Sequence, residues 1–195
     1  MTAVSVHDVT RELRQRIGGE LTVTKVHKLL FYVQAWSAAS RGEACFPEEV
    51  EAFPNGPVVP LLRAAEKHGW DVPPPREVLD GGVIDFVVAH FGHLTQKQLI
   101  VMTHQEPCWQ SARRAAGDDL SWLPDDPYGE QWRDGEGVQS LPISLDAMAA
   151  SISGSQLFTR WHDEVEQARL GMQRATRSLE EDPERLAEVR AALGL

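Results

Sequence analysis

Apolar residues recur at helical spacing along most of the chain. Val6, Val9, Leu13 and Ile17 mark one face of a first helix, which Ser5 and Asp8 open as a capping box and Gly18-Gly19 end. In a stronger second helix Val26, Leu29, Leu30, Val33 and Trp36 follow the i, i+3, i+4, i+7 rule, with Thr24 as the expected N-cap and Gly42 at the end. Val50 to Phe53 reads as a brief strand before the turn Pro54-Asn55-Gly56-Pro57. Pro60 suits the first position of a short helix that carries Leu61, Leu62 and Ala65 to Gly69, and Pro73-Pro74-Pro75 makes a stiff connector. Val83 to Phe91 is dense in β-branched residues, but Val83, Phe86, Val87 and His90 share one helical face, so a helix is predicted. Thr95 and Gln98 form a second capping box, with Leu94 and Leu99 as its hydrophobic staple. Trp109 to Ala116 reads as one more short helix.

Residues 117–141 break this rhythm. Asp118, Asp119, Asp125, Asp126, Glu130, Asp134 and Glu136 face a single Arg133 in a stretch rich in Gly and Pro, which predicts a long acidic loop, either a functional lid or, the favoured reading, a variable insertion. Ser144 caps a helix through Ile152, and Ser153-Gly154 separate it from a C-terminal extension, 153–195. There Trp161, Val165, Ala168, Met172, Ala175 and Leu179 alternate steps of four and three, the seam of a coiled coil. Asp182-Pro183 suit the N-cap and first turn of a further helix, where Leu186, Val189 and Leu193 resume the same phase. Such a seam packs either on the domain's own core or on a partner. The fold class is therefore mainly α: a compact helical domain over 1–152, at most a short strand or hairpin near 48–60, and amphipathic C-terminal helices.

Composition narrows the function. The formal charge of −10, from 29 acidic and 19 basic residues, opposes the phosphate neutralisation on which nucleic-acid binding depends. The basic residues Arg11, Arg14, Arg16, Lys25 and Lys28 crowd the N-terminal stretch and read as a solvated helix face. Two cysteines, Cys45 and Cys108, are too few for a disulfide framework and suit a reducing cytoplasm. No apolar run is long enough to span a bilayer, so no membrane association is expected.

Candidate chemistry is sparse. His90 and His93 stand three apart, with His104 and Cys108 downstream, but Gly92 interrupts the first pair and the remaining gap fits no ligand spacing, so no metal or other cofactor is expected. Cys108, His104 and Glu106 suggest a nucleophile, base and orienting acid. Catalytic triads converge from separate segments, however, and neighbours on one turn rarely point at one atom. No nucleophile-elbow, phosphate-loop, dinucleotide or zincin motif is present.

Three blocks carry a resemblance. Lys25-Val-His-Lys28-Leu-Leu-Phe-Tyr32-Val-Gln34-Ala-Trp36 resembles the K-L-Q-K-L-L-Y-Y-x-Q-A-W helix of the Panacea domain family, found in SocA-like antitoxins and phage-associated proteins. Glu51-Ala-Phe53-Pro-Asn55-Gly56-Pro57-Val-Val-Pro60 is similar to its E-A-W-x-x-G-P-V-x-P turn, and Thr103-His104-Gln-Glu106-Pro-Cys-Trp109-Gln-Ser-Ala-Arg113 to its T-H-x-E-x-P-W-x-x-A-R segment. The chain departs from the pattern at His27, at Phe53 and in Pro107, which falls one place early.

The resemblance implies a helical antitoxin that neutralises a cognate toxin by direct binding, or an adaptor that hands the toxin to a protease, with no enzymatic activity of its own. Self-association through the C-terminal helices is a further expectation. Leu29, Leu30, Val33 and Trp36 read as core, Gly56 as a conformational requirement and Pro57 as a fixed exit from the turn. Lys28, Tyr32, Asn55, His104 and Glu106 are less easily explained by packing and fit either a binding surface or a buried polar network.

Overall fold

The computed structural model describes residues 4–19, 21–69, 81–127 and 139–193. The chain divides into two units, Met1–Ile152 and Ser153–Leu195. The first contains α1 (Val6–Ile17), α2 (Val23–Arg41), the strands β1 (Glu51–Phe53) and β2 (Gly56–Val58), α3 (Pro60–His68), α4 (Gly82–Phe91), α5 (Gln96–Gln105) and α6 (Pro107–Ala115); α7 (Leu145–Ser153) closes it. The second holds α8 (Gln156–Glu180) and α9 (Pro183–Leu193). The molecule is mainly helical, with a short antiparallel hairpin, as the sequence predicts.

α2 forms the axis of the first unit. Every residue from Val26 to Ala38 is buried, because α1, α4, α5 and β2 all pack against it. Its stripe reading therefore understates it: a helix enclosed on all sides buries Lys28, His27, Gln34 and Ser37 along with its apolar residues. The N-cap is Thr22, whose hydroxyl accepts from Lys25 N–H, two residues earlier than the predicted Thr24. Both capping boxes form, Ser5 with Asp8 on α1 and Thr95 with Gln98 on α5, and each cap stabilises its helix by about 1 kcal/mol.

The hairpin pairs Glu51 with Val58, Ala52 with Pro57 and Phe53 with Gly56. A third segment lies along the outer edge of β1: Ala52 N–H donates to the Leu141 carbonyl at 2.9 Å and Ile143 N–H to the Val50 carbonyl at 2.8 Å. Both described ends of the acidic stretch are built into the domain. Leu120 is buried, and Asp118 pairs with Arg113 at 2.7 Å. Residues 128–138 of that stretch and the Pro73-Pro74-Pro75 connector lie outside the described residues.

The predicted basic face of the N-terminal stretch is not a patch. Arg11 pairs with Asp8, Arg14 with Glu66, and Arg16 with Glu12 and Asp85; Lys25 donates to the Gly92 carbonyl, and Lys28 is enclosed. No described helix is long and apolar enough to cross a membrane.

Within the second unit Asp182 caps α9 through Arg185 N–H, as read from the sequence. Along the α8 seam Val165 is 47% and Met172 66% exposed.

Candidate functional site

The hairpin is too short to hold its shape by ladder hydrogen bonds alone, and side chains from α2 and α6 meet several more of the backbone groups in and beside it. From α2, Lys28 Nζ donates to the Pro57 carbonyl at 3.1 Å, and His27 Nδ1 accepts from Val59 N–H at 3.2 Å. From α6, Trp109 Nε1 donates to the Phe53 carbonyl at 2.9 Å, and an Arg113 guanidinium N–H to the Ala52 carbonyl at 3.0 Å. Arg113 is 1% exposed and its charge is met by Asp118. The first and third sequence blocks thus clamp the backbone of the second.

Gly56 lies at the centre of this clamp. Its φ of +88° disfavours any side chain, and a Cβ there would stand 2.7 Å from Lys28 Nζ and 2.9 Å from Thr103 Oγ1. The lysine therefore lies flat against the turn. Burial pushes its ammonium down to about 7, and the Pro57 carbonyl is the acceptor it reaches. Pro57 is buried, while Asn55 is half-buried at the turn.

A second polar group lies where α5 meets α6. Glu106 accepts from the Tyr32 hydroxyl at 3.2 Å and the Ser151 hydroxyl at 2.6 Å, which joins α2, the α5–α6 corner and α7. Burial raises the Glu106 carboxyl, against the effect of both hydroxyls; burial and the nearby Glu106 raise Tyr32. Tyr32 also stacks on Phe91, with ring centroids 4.3 Å apart. Gln34 holds the loop after α2, donating to the Phe46 carbonyl and accepting from Cys45 and Phe46 N–H. Trp36 packs on Phe86.

His104 stacks on Trp109 at 4.4 Å, meets the edge of Trp122 and donates from Nδ1 to the Pro127 carbonyl at 3.0 Å. Among the described residues neither its other nitrogen nor His27 Nε2, both buried, has a hydrogen-bond partner. Burial, helped by the charge of Lys28, pushes both imidazoles down to about 4, so both are neutral near pH 7.

The predicted site residues thus separate into groups. Lys28, Gly56, Pro57, Trp109 and Arg113 meet at the hairpin; Tyr32 and Glu106 meet behind it; His104 joins the third block to the start of the acidic segment. Lys25, Gln34 and Trp36 act elsewhere on α2. Of the two readings open for the polar residues, the buried network fits Lys28, Tyr32 and His104, each about 1% exposed.

His104, Glu106 and Cys108 each have other engagements. Burial pushes the Cys108 thiol up to about 11, the opposite of what activates a nucleophile. His90 Nδ1 contacts the Phe86 carbonyl, and among the described residues no three His, Cys, Asp or Glu side chains gather as a metal site.

Sequence reasoning missed His27, Thr103, Ser151 and Asp118 as parts of the network. His27 stood within the first block as a departure from the family pattern, and Thr103 opened the third. Nothing local marked Ser151, whose partner is 45 positions away. No family model matches the chain, and neither a curated protein nor a solved structure matches it.

Proposed function

We propose that the protein is an antitoxin that neutralises a cognate toxin by binding it directly. The observation that carries this reading is the mutual fit of the three blocks. Side chains of the first and third grip the backbone of the second, so residues that resemble the Panacea pattern act as one physical unit rather than as scattered matches. The unit fixes a scaffold, and the partner meets what lies around it. On α3, Leu61 is 49% exposed and Arg63 sits over the Phe53 ring at 5.1 Å. These positions offer a mixed apolar and charged surface, and the net charge of −10 suits a basic toxin face.

The test is co-expression with the product of the adjacent gene. Growth arrest by that product alone and rescue by this chain support the reading; a neighbour that is harmless, or is neither bound nor neutralised, overturns it. Rescue that survives Glu106→Gln and His104→Asn in folded protein separates binding from catalysis at His104, Glu106 and Cys108. An unchanged toxin half-life separates occlusion from delivery to a protease.

A further inference from the structure

The α8 seam carries an apolar face with exposed positions at its centre. Trp161, Val165, Ala168, Met172 and Ala175 follow heptad spacing, and Val165 and Met172 are largely exposed. A helix of 25 residues gains most of its stability in water from burying such a face, so an uncovered stripe calls for a partner.

The flanking charges indicate which partner. With Val165 and Met172 at the a positions and Trp161, Ala168 and Ala175 at d, Glu164 occupies g and Arg169 the next e. In a parallel two-stranded coil each g residue faces the e residue five positions on in the other helix. Glu164 of one copy then meets Arg169 of the other, and twofold symmetry makes the contact twice. The neighbouring pairs, Leu157 with His162 and Gly171 with Thr176, place no like charges together. An antiparallel pairing centred on the same seam instead sets Arg169 against its own copy. Arg169 is already held by Glu166 of its own helix, with contacts of 2.9 and 2.7 Å, which orients the guanidinium before a second carboxylate arrives.

The geometry points to a second copy of this chain as the occupant: the protein forms a parallel homodimer through α8, with reciprocal Glu164–Arg169 pairs flanking the Val165–Met172 seam. This rests on the second unit alone and stands independently of the antitoxin reading.

Sedimentation of the full chain over a concentration series tests it. The expected result is a dimer of twice the 21.7 kDa chain mass. Met172→Glu, which changes a side chain exposed in the single chain, weakens the dimer by a hundredfold or more. Glu164→Arg or Arg169→Glu alone weakens it by about tenfold, and the double reversal restores it. A monomer at every concentration assigns the face to a different partner and overturns the proposal. So does a dimer indifferent to Met172→Glu, which uses another surface, or one indifferent to both charge reversals, which is not parallel. Circular dichroism at 222 nm confirms that each variant keeps its helices.

Discussion

Replacing Gly56 by alanine should be among the most damaging single-methyl changes in this protein. Two costs act together. A non-glycine residue held at φ of +88° loses about 1–2 kcal/mol. The added methyl also stands 2.7 Å from Lys28 Nζ and 2.9 Å from Thr103 Oγ1, and crowding of this kind in a packed interior costs about 1–3 kcal/mol. The sum is about 2–5 kcal/mol. Gly42 provides the control, since its φ is +72° but nothing lies within 4 Å of a Cβ there; Gly42→Ala should show the strain alone. Urea unfolding followed by tryptophan fluorescence, to which buried Trp36 and Trp109 contribute, measures both. With a slope of about 3 kcal/mol per molar, a 3 kcal/mol loss lowers the midpoint by about 1 M. In a Lys28→Leu background the added cost of Gly56→Ala should fall toward the Gly42 value. Equal losses for Gly56→Ala and Gly42→Ala would refute the close approach of lysine and turn.

Other expectations follow from the same network. His27 and His104 resist protonation in the fold but not in the unfolded chain, so their contribution is complete above pH 6.5 and is lost as pH falls toward 4. Each accounts for at most about 3 kcal/mol, and His27→Gln should flatten the acid limb of a stability–pH curve. Lys28 acts higher: its ammonium is disfavoured in the fold, so stability should climb as pH rises from about 7 toward 10.5, and Lys28→Met should remove that slope. Arg113→Ala strands a carboxylate and a backbone carbonyl, and should lower unfolding free energy by about 3–5 kcal/mol in the same urea assay. With a thiol reagent at pH 8, half-buried Cys45 should react in the native protein, whereas buried Cys108 should wait for unfolding.

Where a signal is local, the sequence was readable. The Ser5–Asp8 and Thr95–Gln98 boxes, Pro60 at a helix start and Asp182 before Pro183 all involve neighbours within a turn, and each forms as read. The hairpin was marked by its Pro-Asn-Gly-Pro turn. The enclosure of α2 was not, because burial on every side depends on β2, α4 and α5, which return from farther along the chain, as well as on α1, and the amphipathic stripe records only the most apolar of its faces. Lys28 shows the difficulty most clearly: a lysine on a helix is ordinarily solvated, and only the return of Gly56 and Thr103 to its amine, from 28 and 75 positions away, encloses it. Ser151 and Asp118 were equally silent, since one hydroxyl and one carboxylate acquire roles only when Glu106 and Arg113 arrive beside them. The blocks were legible as a group because their spacing resembles a family pattern. Their physical task, clamping a hairpin by its backbone, was not.

The most direct test of the antitoxin reading is a binding titration of the purified full chain against the purified product of the adjacent gene, in an inactive form if the active one cannot be made. A saturable complex of fixed stoichiometry, weakened by Leu61→Glu or Arg63→Glu but not by Glu106→Gln, is the expected result. No heat of binding and no co-elution at micromolar concentrations, with a folded protein in each cell, would contradict it.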